Sequence, residues 1–377
     1  MMPMFSSRLS WDVSPNPLAR LLAEKKAAGA HLLDLTESNP TRAGISYSSA
    51  ILDALGSQEA LRYNPTPRGL LSAREAVASY YAERGREVSP ERMLLTASTS
   101  EAYGYLFKLL ADPGDEILTP RPSYPLFEYL AALESVRVRQ YPLRYDGTWH
   151  VDFVELERSI SPRTRAIVVV NPNNPTGSFL KSDEFARLQS LALDRGIAIL
   201  SDEVFWDYGL VPASRGEDRA LTFTMSGLSK IAGLPQMKLG WIAAGGEGAD
   251  RALERLELIA DTYLSVAMPV QLALPQLLAL SGDVRAQIRA RTRENLDALQ
   301  MALAGSPVNV LNLEGGWNAI LQVPRIRSEQ EWALHLLSEY DVLVQPGYFF
   351  DFESEAFLVV SLLTPRDVFD QGIRRII

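Results

Sequence analysis

The sequence predicts a two-part α/β protein: a large, mostly parallel sheet with helices on both faces, followed by a smaller α+β domain. Two observations carry this. From about Arg92 to Ala244, short apolar runs alternate with helical stretches. After about Ala267 the alternation stops, and a long helix leads into a second set of short strands. Strand, helix, strand in series implies parallel pairing. Runs that are apolar throughout imply strands covered on both faces.

The elements follow in chain order. The first residues, MMPMFSSRLSWDVSPNP, read as an irregular arm, then a helix spans about Leu18 to Ala28 with Gly29 as terminator. The strands of the large sheet are the runs MLLTA, EILTP, RAIVVV, IAILSDE, LTFTMS and LGWIAA. One helix between them is well marked, with Ser182 as cap, Asp183 and Glu184 in the first turn and Gly196 after its end. A long helix from near Asp283 to Ala304 places Val284, Ile288, Leu296, Leu299 and Leu303 on one face, and Gly305 ends it. NVLNLEGGWNAILQV then reads as strand, glycine turn, strand, and Ser328 with Glu331 forms a capping box for the next helix. VLVQPG and FLVVSLL are further strands. The expected division is 1–38 for arm and first helix, 39–266 for the large domain and 267–377 for the small one.

Composition narrows the function. The 377 residues are 47% hydrophobic, enough for a large core. Acidic residues number 46 against 37 basic, and the net charge of −9 argues against a broad nucleic-acid footprint. With no cysteine, thiolate chemistry and disulfides are excluded. His31, His150 and His335 are scattered, which argues against a metal site or a serine–histidine triad. No run approaches the roughly 18 apolar residues of a membrane span, so a cytoplasmic protein without membrane partners is expected.

Four motifs carry chemistry. In TMSGLSKIAG, Lys230 follows an apolar run among Ser226, Gly227 and Ser229. A lysine desolvated there becomes a nucleophilic amine, whereas a loop lysine in solvent does nothing. In AILSDEVFWD, Asp202 ends a strand, where α/β folds place ligands, although a capping aspartate reads the same way. VVVNPNNPTG breaks a buried strand into prolines, glycine and asparagines whose amides can donate to a ligand. In LLTASTSEAYGYLF, Thr99 and Ser100 stand at a strand–helix junction, suited to a phosphate or simply to N-capping.

The order NPxNPTG, SDEV, SGLSK resembles the class I/II pyridoxal-phosphate-dependent aminotransferases of fold type I. The resemblance extends to ESNPT near the start, to YNPTPRGLLSAREAVASYY, and to PGDEILTPRPSY and VLVQPG. It implies a seven-stranded, mainly parallel sheet, with the arm packed on the small domain. It implies pyridoxal 5'-phosphate held as a Schiff base on Lys230 and Asp202 on the ring nitrogen. Asn174 would meet the phenolic oxygen, Tyr124 would stack on the ring, and Thr99, Ser100, Ser226 and Lys238 would surround the phosphate. Tyr63 would reach the phosphate of a second subunit in a homodimer, and Asn39 would sit near the substrate. Trp317, which follows a glycine pair, reads apart from the resemblance either as lining the substrate pocket or as a core tryptophan. The implied reaction moves an amino group from an amino acid to a 2-oxo acid. Alternatives on the same fold are a lyase, a decarboxylase, a racemase or a non-catalytic binding protein.

Three positions depart from the pattern. Phe205 replaces the tyrosine that donates to the phenolic oxygen, and Lys238 replaces an arginine. Val359 stands where the arginine for the substrate carboxylate is expected, leaving Arg42 and Arg366 as candidate replacements.

Overall fold

A computed structural model describes residues 4–213 and 215–376. The large sheet contains β1 (Met93–Thr96), β2 (Glu116–Arg121), β3 (Arg137–Tyr145), β4 (Trp149–Val151), β5 (Thr164–Val170), β6 (Ala198–Asp202), β7 (Thr222–Gly227) and β8 (Gly240–Gly245). Their order across the sheet is β1-β8-β7-β6-β5-β2-β3-β4. From β7 across to β3 the neighbours are parallel, while β8 is antiparallel to both β1 and β7. The sheet thus has eight strands and not seven. The addition is β4, antiparallel to β3, which arises because Asp146-Gly147 reverses the chain with Gly147 at φ 109°.

The sheets are covered by α1 (Pro17–Ala27), α2 (Leu71–Ala82), α3 (Thr99–Leu110), α4 (Ser182–Arg195), α5 (Leu228–Ile231), α6 (Ala249–Tyr263), α7 (Met268–Leu303), α8 (Glu329–Tyr340) and α9 (Arg366–Ile376). On one face of the large sheet, α3 and α6 cover Phe223, Met225 and Ile242. On the other, α2 and the start of α7 cover Met93, Leu95 and Trp241. This two-sided cover is why the strand runs are apolar throughout. Ser182 is the first residue of α4 and not its cap, because the N–H of Lys181 before it is bound by Glu184 Oε2 at 2.8 Å.

α7 begins fifteen residues earlier than the periodicity from Asp283 indicates. Pro275 and Gly282 read as breakers, yet both lie inside the 36-residue helix. Pro275 removes one backbone bond, and burial of Ala273, Leu274 and Leu277 against α2 offsets the loss. The second half of α7 joins a different core, in which Leu296, Leu299 and Leu303 meet Leu18 of α1 and Val360. That core lies under β9 (Asn309–Val310), β10 (Asn318–Gln322), β11 (Gln345–Pro346) and β12 (Phe357–Ser361), an antiparallel sheet of order β9-β10-β12-β11. Leu33–Asp34 also pairs with Val342–Leu343, so the N-terminal segment is built into the C-terminal core.

Ser328 and Glu331 form the capping box at the start of α8, with Ser328 Oγ accepting from Glu331 N at 3.2 Å and Glu331 Oε2 accepting from Ser328 N at 2.8 Å. Between them, Glu329 turns inward and ties down the segment from Tyr348 to Phe357. Its Oε2 accepts from Tyr348 N at 2.6 Å and its Oε1 from Phe357 N at 2.8 Å. Burial pushes this carboxyl up to about 7. Glu329→Ala leaves two backbone N–H groups without their acceptor, and it should destabilise the protein by about 2 kcal/mol or more in urea unfolding. An unchanged urea midpoint would show that the clamp is dispensable.

Candidate functional site

The groups singled out by sequence gather at one end of the large sheet. Asp202 ends β6, Lys230 lies in α5 directly after β7, Asn174 follows β5, Tyr124 follows β2 and Thr99 follows β1. These are all carboxyl ends of strands that share one direction, where an open α/β sheet leaves its crevice.

Asp202 and Lys230 form the charged centre. Asp202 shares its register position with Met225 of β7 and faces α3. Its Oδ2 accepts from Tyr103 O–H at 3.1 Å and its Oδ1 from Val204 N at 3.2 Å. Burial still pushes its carboxyl up to about 6. Lys230 Nζ stands 5.0 Å from the ring centroid of Trp317 and 5.5 Å from that of Phe205. Burial pulls its amine down to about 8, against the opposing pull of Asp202. Behind it, Tyr208 O–H donates to the Lys230 carbonyl at 2.6 Å, and Trp317 packs edge-on against both Phe205 and Tyr208. The lysine is thus held from its backbone side, and its amine faces the carboxylate.

The start of α3 forms a second feature. Ser98 caps the helix, its Oγ accepting from Glu101 N at 3.1 Å, while Glu101 Oε2 accepts from Ala97 N at 2.6 Å. Thr99 and Ser100 are the first helical residues, so their N–H groups point out of the helix end. Lys238 stands two residues before Gly240, which pairs with Thr96 as the last pair of that ladder. A Cβ on Gly240 would meet the Ser98 carbonyl carbon and Thr96 Oγ1 at 3.3 Å, so the two chains are in close contact there.

The N-P-N-N-P-T-G segment is a self-bonded turn. Asn173 Nδ2 donates to Pro122 O and Thr176 Oγ1, both at 2.9 Å, and Asn173 Oδ1 accepts from Ser123 Oγ at 3.0 Å. Gly177 has φ +68°, and a Cβ on it would overlap Leu313 Cδ1 and Gly315 O. Glycine is required because the small-domain chain lies directly against it. Asn174 Oδ1 accepts from Asn318 Nδ2 of β10 at 2.6 Å. Its own Nδ2 therefore turns the other way, as the free donor.

Other expected residues fall elsewhere. Ser226 is at the end of β7 but on its opposite face: Phe223 and Met225 lie under α3, and Thr222, Thr224 and Ser226 alternate with them. The residue borders a separate cavity beneath the sheet, and its hydroxyl is buried without a partner among the described residues. Arg366 is bound to Asp370 at 2.9 Å and to the Glu294 carbonyl at 2.6 Å, on the face where α7 meets α9. Placed so, its guanidinium is already engaged by two protein acceptors. Val359 is fully buried among Trp149, Ile320 and Phe350, an apolar setting with no place for a cation. Arg42 is exposed and loosely paired with Glu37 at 3.9 Å, next to Ala43, which packs in one cluster with Phe205 and Trp317. Asn39 ends its segment as a turn, its Oδ1 accepting from Thr41 N at 3.1 Å. Tyr124 is 44% exposed and Tyr63 83% exposed. Sequence reasoning missed Tyr103, which holds Asp202, and Tyr208, which holds the Lys230 backbone. Their only signal was an aromatic at helical spacing from Thr99 and one three residues after Phe205.

The pair of buried charges has a sign that can be tested without any ligand. The folded state raises the Asp202 carboxyl from 3.8 to about 6, so it favours the protonated form. Stability from this group is present below about pH 4 and is lost as pH rises through 6. In the Asp202→Asn variant nothing titrates at this position. The amide oxygen can keep the bond from Val204 N, and its Nδ2 can donate to the Tyr103 hydroxyl oxygen in place of the bond that is lost. Without cofactor, that variant should therefore match the parent near pH 4 and exceed it by about 2–3 kcal/mol above pH 6. A stability difference that is flat from pH 4 to 8 in thermal melts contradicts this.

Comparison with known proteins agrees with the geometry. Residues 30–376 match the family model described as aminotransferase class I and II. A probable aminotransferase of Arabidopsis thaliana is 27% identical across 84% of this chain and 75% of its own length. An S-alkyl-thiohydroximate lyase of the same plant is 32% identical, but over 63% of this chain and 53% of its own. The crystal structure of an aminotransferase from Escherichia coli superposes with a TM-score of 0.86 at 25% identity, covering 98% of this chain and 96% of that one. With its large sheet, its smaller domain and nearly its whole length matched, this chain belongs to the class I and II aminotransferases, enzymes that use pyridoxal phosphate to transfer amino groups.

Proposed function

We propose that Lys230 is the residue that carries the cofactor and that the chain transfers amino groups between amino acids and 2-oxo acids through it. The observation that supports this most is the facing of a buried amine and a buried carboxylate, Lys230 and Asp202, across adjacent strand ends. The residues present fit pyridoxal phosphate: a carboxylate held by two donors, an amide nitrogen without a partner among the described residues, a helix start in contact with Gly240 two residues after a lysine, and an exposed ring. Bound there, the cofactor supplies an electron sink for charge developing on the substrate α-carbon.

Asp202 would hold a proton on the ring nitrogen, and Tyr103 would keep the carboxylate aimed. Asn174 Nδ2 would donate to the phenolic oxygen alone, since Phe205 has no hydroxyl. The first N–H groups of α3, with Lys238, would take the phosphate as a point-charge site without a guanidinium fork. Tyr124 would lie against the ring. Lys230 Nζ, freed when substrate displaces it, would move the proton between the substrate carbon and the cofactor carbon. An amine near 8 rather than 10.5 is neutral often enough at physiological pH to accept that proton.

Arg42 is the cation we assign to the substrate carboxylate, with Asn39 and Trp317 beside it. Among the candidates, it alone combines a weakly held guanidinium with a place on the rim of the Phe205–Trp317 cluster. The active unit would be a cytoplasmic homodimer. Tyr63 and Leu264 are exposed around one groove, an apolar surface that a second copy would cover, and Tyr63 would then reach the partner's phosphate site. No described helix is long and apolar enough to cross a membrane.

Two experiments test these assignments. Borohydride treatment of the cofactor-loaded protein should fix the label on Lys230 in peptide mapping. Label on another lysine would overturn the assignment. Arg42→Ala should raise the amino-acid concentration needed for half-maximal bleaching of the visible band by tenfold or more, about 1.4 kcal/mol. Arg366→Ala should leave it unchanged. Equal behaviour of the two variants removes Arg42 from the role.

A further inference from the structure

The N-P-N-N-P-T-G turn and the segment that carries Tyr124 leave the carboxyl ends of two neighbouring parallel strands, β5 and β2. Ser123 and Asn173 are 50 residues apart in sequence and in direct contact. Four buried polar side chains, of Ser123, Asn173, Thr176 and Ser178, fill the seam between the two segments.

Asn173 joins the two sides. Its Nδ2 donates to Pro122 O and to Thr176 Oγ1, both at 2.9 Å, and its Oδ1 accepts from Ser123 Oγ at 3.0 Å. Thr176 Oγ1 and Ser178 Oγ share a further bond at 2.8 Å. The Asn173 backbone closes the turn as well, its N–H donating to Ser178 O at 2.9 Å and its carbonyl accepting from Gly177 N at 2.7 Å. Both amide hydrogens and the amide oxygen of one side chain are thus engaged, and none of the four side chains has a polar atom left without a partner. A buried network satisfied in this way holds one geometry, because a shift of either segment would strand a polar group away from water. Aspartate at 173 would turn a carboxylate oxygen toward Pro122 O. Alanine would withdraw a bond from Pro122 O, Ser123 Oγ and Thr176 Oγ1 together.

The network ends beside two groups of the site: Ser123 precedes Tyr124, and Asn173 precedes Asn174. We propose that Asn173 is a positioning residue that holds the ring of Tyr124 and the amide of Asn174 in one fixed relation. The inference rests on the reading that those two groups meet the cofactor ring and its phenolic oxygen. Asn173 acts only through the residues that follow Ser123 and itself.

The first readout needs no cofactor. In hydrogen exchange of the cofactor-free protein, Asn173→Ala should speed exchange at Ser123–Tyr124 and at Gly177–Ser178 by about tenfold or more, with β6 unchanged. Faster exchange in only one of the two segments, or in neither, overturns the proposal, and so does a rise that extends equally to β6. The second readout is cofactor binding. Pyridoxal phosphate should bind Asn173→Ala about tenfold or more weakly, and the visible circular dichroism of the bound form should shrink. Ser123→Ala removes a single link, so it should move both readouts the same way and by less. Tyr124→Ala and Asn174→Ala test the reading beneath. If these weaken cofactor binding and Asn173→Ala does not, the proposal fails and the reading stands. If neither alters binding or dichroism, the reading fails and takes the proposal with it. Should Asn173→Ala not fold, Ser123→Ala decides: exchange that rises at Ser123–Tyr124 but not at Gly177–Ser178 overturns the proposal.

Discussion

The constraint on which the rest of the structure depends is the burial of two opposite charges, Asp202 and Lys230, at the ends of neighbouring strands. Neither is fully neutralised by the other: the carboxyl is pushed up to about 6 and the amine down to about 8, in both cases chiefly because water has been removed. Desolvation on this scale needs a wall on every side. Tyr103 and Val204 hold the carboxylate, the rings of Phe205 and Trp317 flank the amine, and Tyr208 fixes the lysine backbone. Trp317 belongs to the small domain and Phe205 to the large one, so the charged centre exists only where the two meet. A cofactor with a ring nitrogen for the carboxylate and a carbonyl carbon for the amine relieves both groups together.

The same logic explains why the small domain is bolted to the large one at the site. Gly177 admits the chain at Leu313 to Gly315 because it has no side chain, and Asn318 reaches across to the Asn174 amide. That bond matters here because Phe205 brings no hydroxyl. In the proposed cofactor site, with one donor removed, the orientation of the remaining amide would decide whether the phenolic oxygen is met at all. At the far edge, the N-terminal segment joins the C-terminal core, and the single helix α7 supplies side chains to both cores.

Much of this was legible in the sequence because it followed from simple periodicities. Unbroken apolar runs marked strands covered on both faces, and residues just beyond them marked the crevice. Lys230 and Asp202 stand just beyond such runs, while the choice of Asn174 rested on the family resemblance. Other features were present but outweighed. TFTMSG alternates polar and apolar residues, which places Ser226 on the face opposite α3, although its neighbours in the motif drew it toward the phosphate. The DG pair after Tyr145 announced the hairpin that adds the eighth strand. Pro275 and Gly282 hid the first half of α7, because local propensity counted against a helix that tertiary burial sustains. Arg366 could not be judged from sequence, since its partners Asp370 and the Glu294 carbonyl are set by helix packing. Tyr103 was invisible for the same reason: one aromatic on a buried helix face looks like core until the strand beside it is known.

The central claim is that burial, more than pairing, sets the state of the Lys230 amine. The direct measurement is the rate at which acetic anhydride modifies Lys230 in the cofactor-free protein as a function of pH, read by peptide mass spectrometry. The account predicts a midpoint near 8. A midpoint near the ordinary lysine value of about 10.4 would contradict it, and would mean that the amine is solvated or fully paired and that the site is not desolvated in the way described.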